Sequence, residues 1–369
     1  MRKVGPMAGS TTATNTTAVN TTAVNTTAVD TTAADTPTVP GKSATSSSTP
    51  AEPTKIAVVV LNYRTPQLTL DCLATLQPEL DGETVVVVVD NASGDGSAER
   101  LAHEIEDRGW SSFTTLLRAP HNGGFAAGNN LGILSVEADA YLLLNSDTLV
   151  CPGALRSLRD AMATHRDAGV IGAGLLTAGG DIDASRFRNV GPFSEFLRAA
   201  DTGVLSRLLD RFDPTLPPTH ESTEVDWVGF AAVIIRREVI AEVGLLDDGF
   251  FMYFEDVDYC RRAAAAGWRV RYWPHARFVH LQGASSQISG HRGRRRRAPR
   301  TYYAARARYF ARYYGRAGLW LANGLWCLGR VVSYTREVLG RPSSIRPYES
   351  RDIWTGVLAP LGSEHGRIG

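Results

Sequence analysis

Large apolar residues are nearly absent from the first 54 positions, where a five-residue repeat, NTTAV NTTAV NTTAV DTTAA, stands out, and they crowd together at KIAVVVLNYRT, residues 55–65. A continuous β-branched run closed by turn residues predicts a strand buried on both faces. PQLTLDCLATLQPEL then reads as a helix and TVVVVVDNASGDGS as a second buried strand. Strand, helix, strand at this spacing is a βαβ unit, hence part of a parallel α/β sheet. AERLAHEIEDRG (helix), FTTLLRA (strand), the turn HNGG, FAAGNNLGILSV (helix) and AYLLLNSD (strand) extend the alternation to about residue 150.

Further on, the pattern predicts a helix in CPGALRSLRDAMATH, a strand in GVIGAGLL, a less regular stretch from Thr177 to Val225, and renewed order in DWVGFAAVIIRREVIAEVG. The aromatic and acidic motif FFMYFEDVDYC leads into a helix from about Asp256 to Gly267, followed by strands in WRVRYWP and ARFVHL. After Gln282 the chain turns basic and aromatic, HRGRRRRAPR and then TYYAARARYFARYYGRAGLWLANGLWCLGR. The expected organisation is a disordered low-complexity tail over 1–54, an α/β domain over 55–282, a basic aromatic amphipathic helical extension over 283–340 and a flexible tail over 341–369. The first tail has no large apolar face whose burial would offset the entropy of ordering it.

Composition narrows the function classes. With 43% hydrophobic and 21% charged residues and a formal net charge of +1, the chain is neither a general nucleic-acid coat nor an acidic-substrate sink. Cys72, Cys151, Cys260 and Cys327 form no C-x-x-C pair, so neither a zinc site nor a disulfide framework is expected, and a cytoplasmic setting suits them. MRKVGPMAGS lacks the apolar core of a secretory signal, which leaves the N-x-T sequons at Asn15, Asn20 and Asn25 as products of the repeat. No uncharged apolar run approaches the roughly 20 residues that span a bilayer.

Candidate chemistry gathers at strand ends. Asn62-Tyr63, Asp90-Asn91 and Asn145-Ser146-Asp147 each follow a predicted strand, where ligands of open parallel sheets bind. One such Asp is commonly a turn former or helix cap. Three along one edge favour a ligand site. A dinucleotide-binding domain would need G-x-G-x-x-G after the first strand, and LNYRTPQLTL contains no glycine.

VVVLNYR, VVDNASGDGS, HNGGFAAGNNLGI, LLLNSD, DWVGFAAVIIRR and FFMYFEDVDYCRRAAAAGW, in this order over residues 55–282, resemble the family 2 inverting glycosyltransferases, most closely the bacterial rhamnosyltransferase-like branch. The resemblance implies a GT-A fold, a Rossmann-like α/β nucleotide-diphospho-sugar transferase with a mainly parallel central sheet. LLLNSD is similar to the family's D-x-D-type signature, which implies a divalent metal, Mg²⁺ or Mn²⁺, bound by Asp147 with Asn145 beside it. By the same resemblance Asp90 contacts the nucleoside, Asn62 and Tyr63 line the base pocket, and Asn122, Gly124 and Asn129 approach the nucleotide or sugar. Asp256 is then the base that removes the acceptor's proton, with Glu255 as its partner, and His280 a second metal ligand. A position near a helix N-terminus helps Asp256 stay ionised. Asp258 and Arg262 are expected to form an ordinary i,i+4 pair on the helix surface.

Alternatives stay open at several positions. His280 reads equally as a hydrogen-bonded residue ending a strand, and Trp227 as an acceptor platform or a core residue. The basic aromatic extension reads as an interfacial membrane helix or as a helix packed on the catalytic domain, with nothing else in the chain suited to nucleic acid. The implied activity is transfer of L-rhamnose from dTDP-rhamnose, or of another dTDP- or UDP-sugar, to a glycan or polyprenyl-diphosphate-linked acceptor at the inner face of the plasma membrane. A sugar-phosphate nucleotidyltransferase and a non-catalytic nucleotide-sugar-binding protein are the competing classes.

Overall fold

The computed structural model describes residues 55–281, 297–341, 343 and 345–362. The expected tail at 1–54 and the Arg-rich run at 291–296 lie outside the described residues. In chain order the elements are β1 (Ile56–Asn62), α1 (Pro66–Leu76), β2 (Thr84–Asp90), α2 (Ser97–Asp107), β3 (Thr114–Arg118), α3 (Gly124–Leu134), β4 (Ala140–Asn145), β5 (Thr148–Val150), α4 (Ala154–Thr164) and β6 (Ala168–Leu176). They continue with β7 (Arg186–Phe187), α5 (Pro192–Ala200), α6 (Gly203–Leu208), β8 (Thr223–Glu224), β9 (Trp227–Val228), β10 (Ala232–Arg236), α7 (Arg237–Val243), α8 (Glu255–Ala265), β11 (Arg269–His280), α9 (Arg300–Val338) and α10 (Glu349–Asp352).

The large sheet has the order β3-β2-β1-β4-β10-β6-β11-β5, with β8 paired to β11. β1 lies parallel between β2 and β4, so its side chains face the core on both sides. Ile56, Val58 and Val60 pack with Leu70 and Leu73 of α1 on one face. Ala57 and Val59 pack with Ala126 and Ile133 of α3 on the other. This alternation is why the run is apolar at every position. Helix α3 approaches β1 closely because a Cβ at Gly128 would stand 2.4 Å from a methyl of Leu61.

Differences from the predicted pattern begin after β4. β10 runs antiparallel between β4 and β6, which places Trp227 and Val228 in a separate short strand, β9, paired with β7. The two strands expected in 268–281 are one, β11, with a register shift between Trp273 and Arg277. The stretch from Thr177 to Val225 supplies α5, whose buried face is covered by the remote helix α9, and α6, which buries no residue.

The C-terminal extension is not a separate module. Helix α9 breaks at Gly315, whose φ of 68° and ψ of 178° belong to a region open only to glycine. Arg306 Nη1 donates to Asn323 Oδ1 at 2.8 Å, whereas 17 residues of straight helix would separate their Cα atoms by about 25 Å. The chain therefore folds back as a helical hairpin. Its first arm buries Ala307 and Phe310 against Phe250 and against Val257 of α8, joined by Leu319 and Ala322 of the second arm and Val357. The second arm lies on α5, where a Cβ at Gly329 would stand 2.4 Å from the Phe196 carbonyl oxygen. Residues 345–362, expected to be flexible, return to the hairpin through buried Glu349, Asp352, Ile353 and Val357.

Candidate active site

A cavity of about 680 Å³ opens at the carboxyl ends of β1, β2 and β4. Backbone geometry is unusual around it. Arg64, Ala92, Tyr253 and Phe254 all have positive φ without being glycine. Such conformations cost roughly 1–2 kcal/mol each and persist where the surroundings enforce them. The consecutive pair at Tyr253 and Phe254 turns the chain sharply into α8, so Glu255 and Asp256 open that helix at the cavity wall.

The turn before α3 closes the opposite wall. Asn91 Nδ2 donates to Asn122 Oδ1 and to the Gly124 carbonyl oxygen, both at 3.0 Å, and Gly124 N–H donates to Asn122 Oδ1 at 3.0 Å. Phe125 N–H donates to the Phe251 carbonyl oxygen at 2.7 Å. Gly124 has φ +84°, and a Cβ there would stand 1.9 Å from that oxygen. This position thus ties the glycine turn to the aromatic run preceding the acid pair.

Some predicted residues line the cavity and some stand behind it. Tyr63, Asn122, Gly124, Asn145 and Trp227 line it, as do Glu255, Asp256 and His280. Asn62, Asp90 and Asn129 form the scaffold behind its wall instead. Asp90 is 3% exposed, and its Oδ1 accepts from Asn62 Nδ2 at 2.7 Å and from Ser93 Oγ at 2.6 Å. Its Oδ2 accepts from Ser93 N–H at 3.1 Å, so every strong contact it makes here holds the β1 and β2 loops together. Asn129 donates to the Phe125 carbonyl oxygen at 2.9 Å within α3.

Asp147, in the turn between β4 and β5, meets His280, at the end of β11, with Oδ1 and Nε2 3.4 Å apart. Their proximity follows from pairing: His280 is in register with Thr148, and Leu281 N–H donates to the Asp147 carbonyl oxygen at 2.9 Å. Trp227 stacks on Phe187 with ring centroids 4.1 Å apart and donates Nε1 to the Arg188 carbonyl oxygen at 2.8 Å.

The acid pair is electrostatically exposed to its own burial. Burial pushes the Asp256 carboxyl up to about 6, against the opposing pull of the Val257 N–H that donates to its Oδ1 at 2.8 Å. Desolvation therefore outweighs the favourable helix N-terminus, yet leaves Asp256 ionised at neutral pH. Burial, with the Asp256 charge adding to it, holds Glu255 well above the ordinary carboxylate range. Glu255 is 6% exposed, and its Oε2 makes no hydrogen bond among the described residues. Asp258 differs from the surface position expected of it. It is 0% exposed and clamped by Arg262 Nε at 2.9 Å and Tyr313 Oη at 2.8 Å, because the hairpin covers that face of α8.

Several lining residues had no sequence signal, Asp183 and Ser185 among them. Arg300 and Thr301, at the start of α9, reach the cavity 20 residues beyond His280, from a segment whose Arg-rich composition pointed to membrane contact. Asn91 carried the signal of a strand-end amide, the same one that singled out Asp90.

An α/β sheet with β10 reversed, polar loops at the strand ends and an acid pair entering a late helix define a glycosyltransferase of the GT-A fold. The chain belongs to the glycosyltransferase-like family 2, whose model matches residues 53–304. That span runs past residue 282 into the hairpin's first arm, in keeping with the packing above. An N-acetylglucosaminyl-diphospho-decaprenol L-rhamnosyltransferase of Mycobacterium tuberculosis is 25% identical over 299 residues, covering 76% of this chain and 91% of that one. A low-salt glycan biosynthesis hexosyltransferase of Haloferax volcanii is 25% identical over 217 residues, covering 56% and 61%. Among solved structures, GalNAc-T7 with UDP, GalNAc and Mn²⁺ matches with a TM-score of 0.52 and 12% identity over 82% of this chain and 56% of that one, a likeness of fold.

Proposed function

We propose that the protein is an inverting transferase that moves L-rhamnose from dTDP-rhamnose to a polyprenyl-diphosphate-linked glycan. The observation that carries the mechanism is the position of Asp256, which lines both the 680 Å³ cleft and a second cavity of about 570 Å³. A base for in-line displacement must touch the acceptor hydroxyl on one side and face the donor on the other. The acceptor oxygen bonds to the anomeric carbon as its proton passes to Asp256, and the bond from that carbon to the diphosphate breaks with its electron pair leaving on the diphosphate. Glu255, kept protonated by burial, donates a hydrogen bond to the sugar.

Asp147 and His280 fit a divalent cation shared with a diphosphate. One buried carboxylate and one imidazole 3.4 Å apart leave most of the coordination to phosphate and water. Among the described residues no cluster of three or more His, Cys, Asp or Glu could hold a metal unaided. When bound, Mg²⁺ or Mn²⁺ supplies Lewis-acid stabilisation of the leaving diphosphate. Arg300, the one Lys or Arg lining the cleft among the described residues, adds a positive charge for the same group.

The relative's printed name supports L-rhamnose as the transferred sugar and a lipid-linked acceptor, whereas dTDP as its carrier rests on the family resemblance. Association with the inner face of the plasma membrane rests on the hairpin's second arm, which exposes Trp320, Leu321, Leu328, Val331, Tyr334 and Val338. Such an apolar and aromatic helix face suits a lipid interface. No helix among the described residues is long and apolar enough to cross a membrane.

The test is a donor screen with purified protein and Mg²⁺ or Mn²⁺. Nucleoside diphosphate released from dTDP-rhamnose, faster with acceptor, is the expected result. Turnover only with another nucleotide sugar would overturn the donor, and pyrophosphate released from a nucleoside triphosphate would overturn the class in favour of a nucleotidyltransferase.

A further inference from the structure

The second cavity is built by parts of the chain that the nucleotide-binding strands do not touch. Ser194, Leu197 and Arg198 of α5, Gly203 and Ser206 of α6, and Tyr302 of the hairpin line it. It meets the donor cleft at Trp227, Tyr253 and Asp256. Its walls have a marked charge bias. Glu195, Asp201, Asp213 and Asp256 are acidic lining residues, and Arg198 is the one basic lining residue among those described.

Arg198 and Glu195, 2.7 Å apart, largely cancel, with Glu349 also on the Arg198 guanidinium, so the bias a ligand would meet rests on Asp201, Asp213 and Asp256. Arg306 reinforces the pair from beneath, with Nη2 3.0 Å from Glu195. Although burial pushes the Glu195 carboxyl up, these two guanidinium groups hold it at about 2, so it is fixed as an anion. A diphosphate entering such a cavity would meet repulsion in a poorly screened space. Neutral hydroxyl and amide groups would instead find carboxylate acceptors beside the rings of Trp227, Tyr253, Phe254 and Tyr302.

The lip of the cavity has the opposite character. On α6, beside lining residue Ser206, Arg207 is exposed and has no partner among the described residues, and Val204 and Leu208 are 66% and 75% exposed. Arg211 lies in the next turn, its guanidinium 4.6 Å from the ring centroid of Phe212. Cations and apolar side chains thus sit together outside a cavity whose interior is acidic and aromatic.

We infer that this cavity is the acceptor subsite and that it takes an uncharged saccharide headgroup, while an attached diphosphate stays at the α6 lip against Arg207 and Arg211. The inference rests on the transferase reading and adds to it a direction of entry, sugar first, with the lipid chain leaving past Val204 and Leu208. It makes the α5 and α6 segment the determinant of acceptor choice. The donor strands have no part in that choice.

The experiment separates this subsite from the transferase reading by measuring binding without donor. A neutral glycoside, octyl N-acetyl-β-D-glucosaminide below its micelle concentration, is titrated into the full chain by ligand-observed NMR. Wild type is expected to bind it, and Ser206→Trp, checked for folding by its melting transition, to weaken binding by at least about tenfold. Unchanged binding in folded Ser206→Trp, or no binding by wild type, would overturn the subsite. Arg207→Glu with Arg211→Glu, a change at exposed positions, is expected to raise KM for a diphosphate-linked acceptor about tenfold and leave glycoside binding within twofold. Equal weakening of both ligands, or of neither, would overturn the placement of the diphosphate. Absence of turnover with every nucleotide sugar would instead count against the transferase reading, because glycoside binding is read without one.

Discussion

Asp90, at the end of β2, and the pair Glu255 and Asp256, at the start of α8, are treated differently by burial. Asp90 is surrounded by donors: Asn62 and Ser93 engage both its oxygens. Glu255 and Asp256 receive little such compensation, and both have raised proton affinity as a result. A buried carboxylate with its hydrogen bonds filled locks a loop. One left short of donors is held ready for a substrate, at a cost to the fold. The comparison locates chemistry by what the surroundings leave unsatisfied, which the presence of an acid in a motif does not reveal.

The sharpest way to break this contrast is Asp256→Asn. Turnover should fall by roughly 10²–10⁴-fold with donor KM retained, and wild-type-like turnover would remove Asp256 from the role of base. The same variant should melt at a higher temperature near pH 7. The folded chain holds the Asp256 proton up to about pH 6, above the ordinary value of 3.8, so ionisation costs stability as pH rises through that window. A lower melting temperature would contradict the account of uncompensated burial.

Acid titration of activity follows from the same shift. Turnover should decline as pH falls through about 6, and the limb should persist in Glu255→Gln, because burial raises the proton affinity of Glu255 and so opposes its ionising beside Asp256. A limb displaced by a full unit or more in Glu255→Gln, measured as a pH profile of kcat/KM, would show that Glu255 is ionised there.

Asp90→Ala tests the other side. It should destabilise the fold by about 1–3 kcal/mol in denaturant titration, because Asn62 and Ser93 lose their acceptor, while donor KM moves by less than about threefold. A large rise in KM with unchanged stability would restore Asp90 as a direct nucleoside contact. Smaller still is the effect expected on the hairpin surface. Leu328→Glu with Val331→Glu should weaken binding to vesicles of phosphatidylglycerol and phosphatidylethanolamine about tenfold, the order of burying one or two aliphatic side chains. Unchanged sedimentation with vesicles would remove this face from membrane contact.

What the chain alone determined is local and periodic. Uninterrupted apolar runs fixed β1, β2 and β4 as central parallel strands, since only burial on both faces suits such a run, and the polar residues ending or following them marked the cleft through Tyr63, Asn91 and Asn145. The motif around Glu255 and Asp256 announced an acid pair in the same way. Tertiary structure alone decided which polar groups would be satisfied. Asp90 and Asp258 became scaffold because Asn62 and Tyr313 were brought to them from elsewhere, adding to the local partners Ser93 and Arg262. The hairpin at Gly315 could not be read from helical spacing, because both arms keep the period of one amphipathic helix and only the fold-back shows which faces are covered. Arg300 and the α5 and α6 cavity belong to the same class: their neighbours are remote in sequence, and burial, which sets the chemistry of a charged group, is a property of those neighbours.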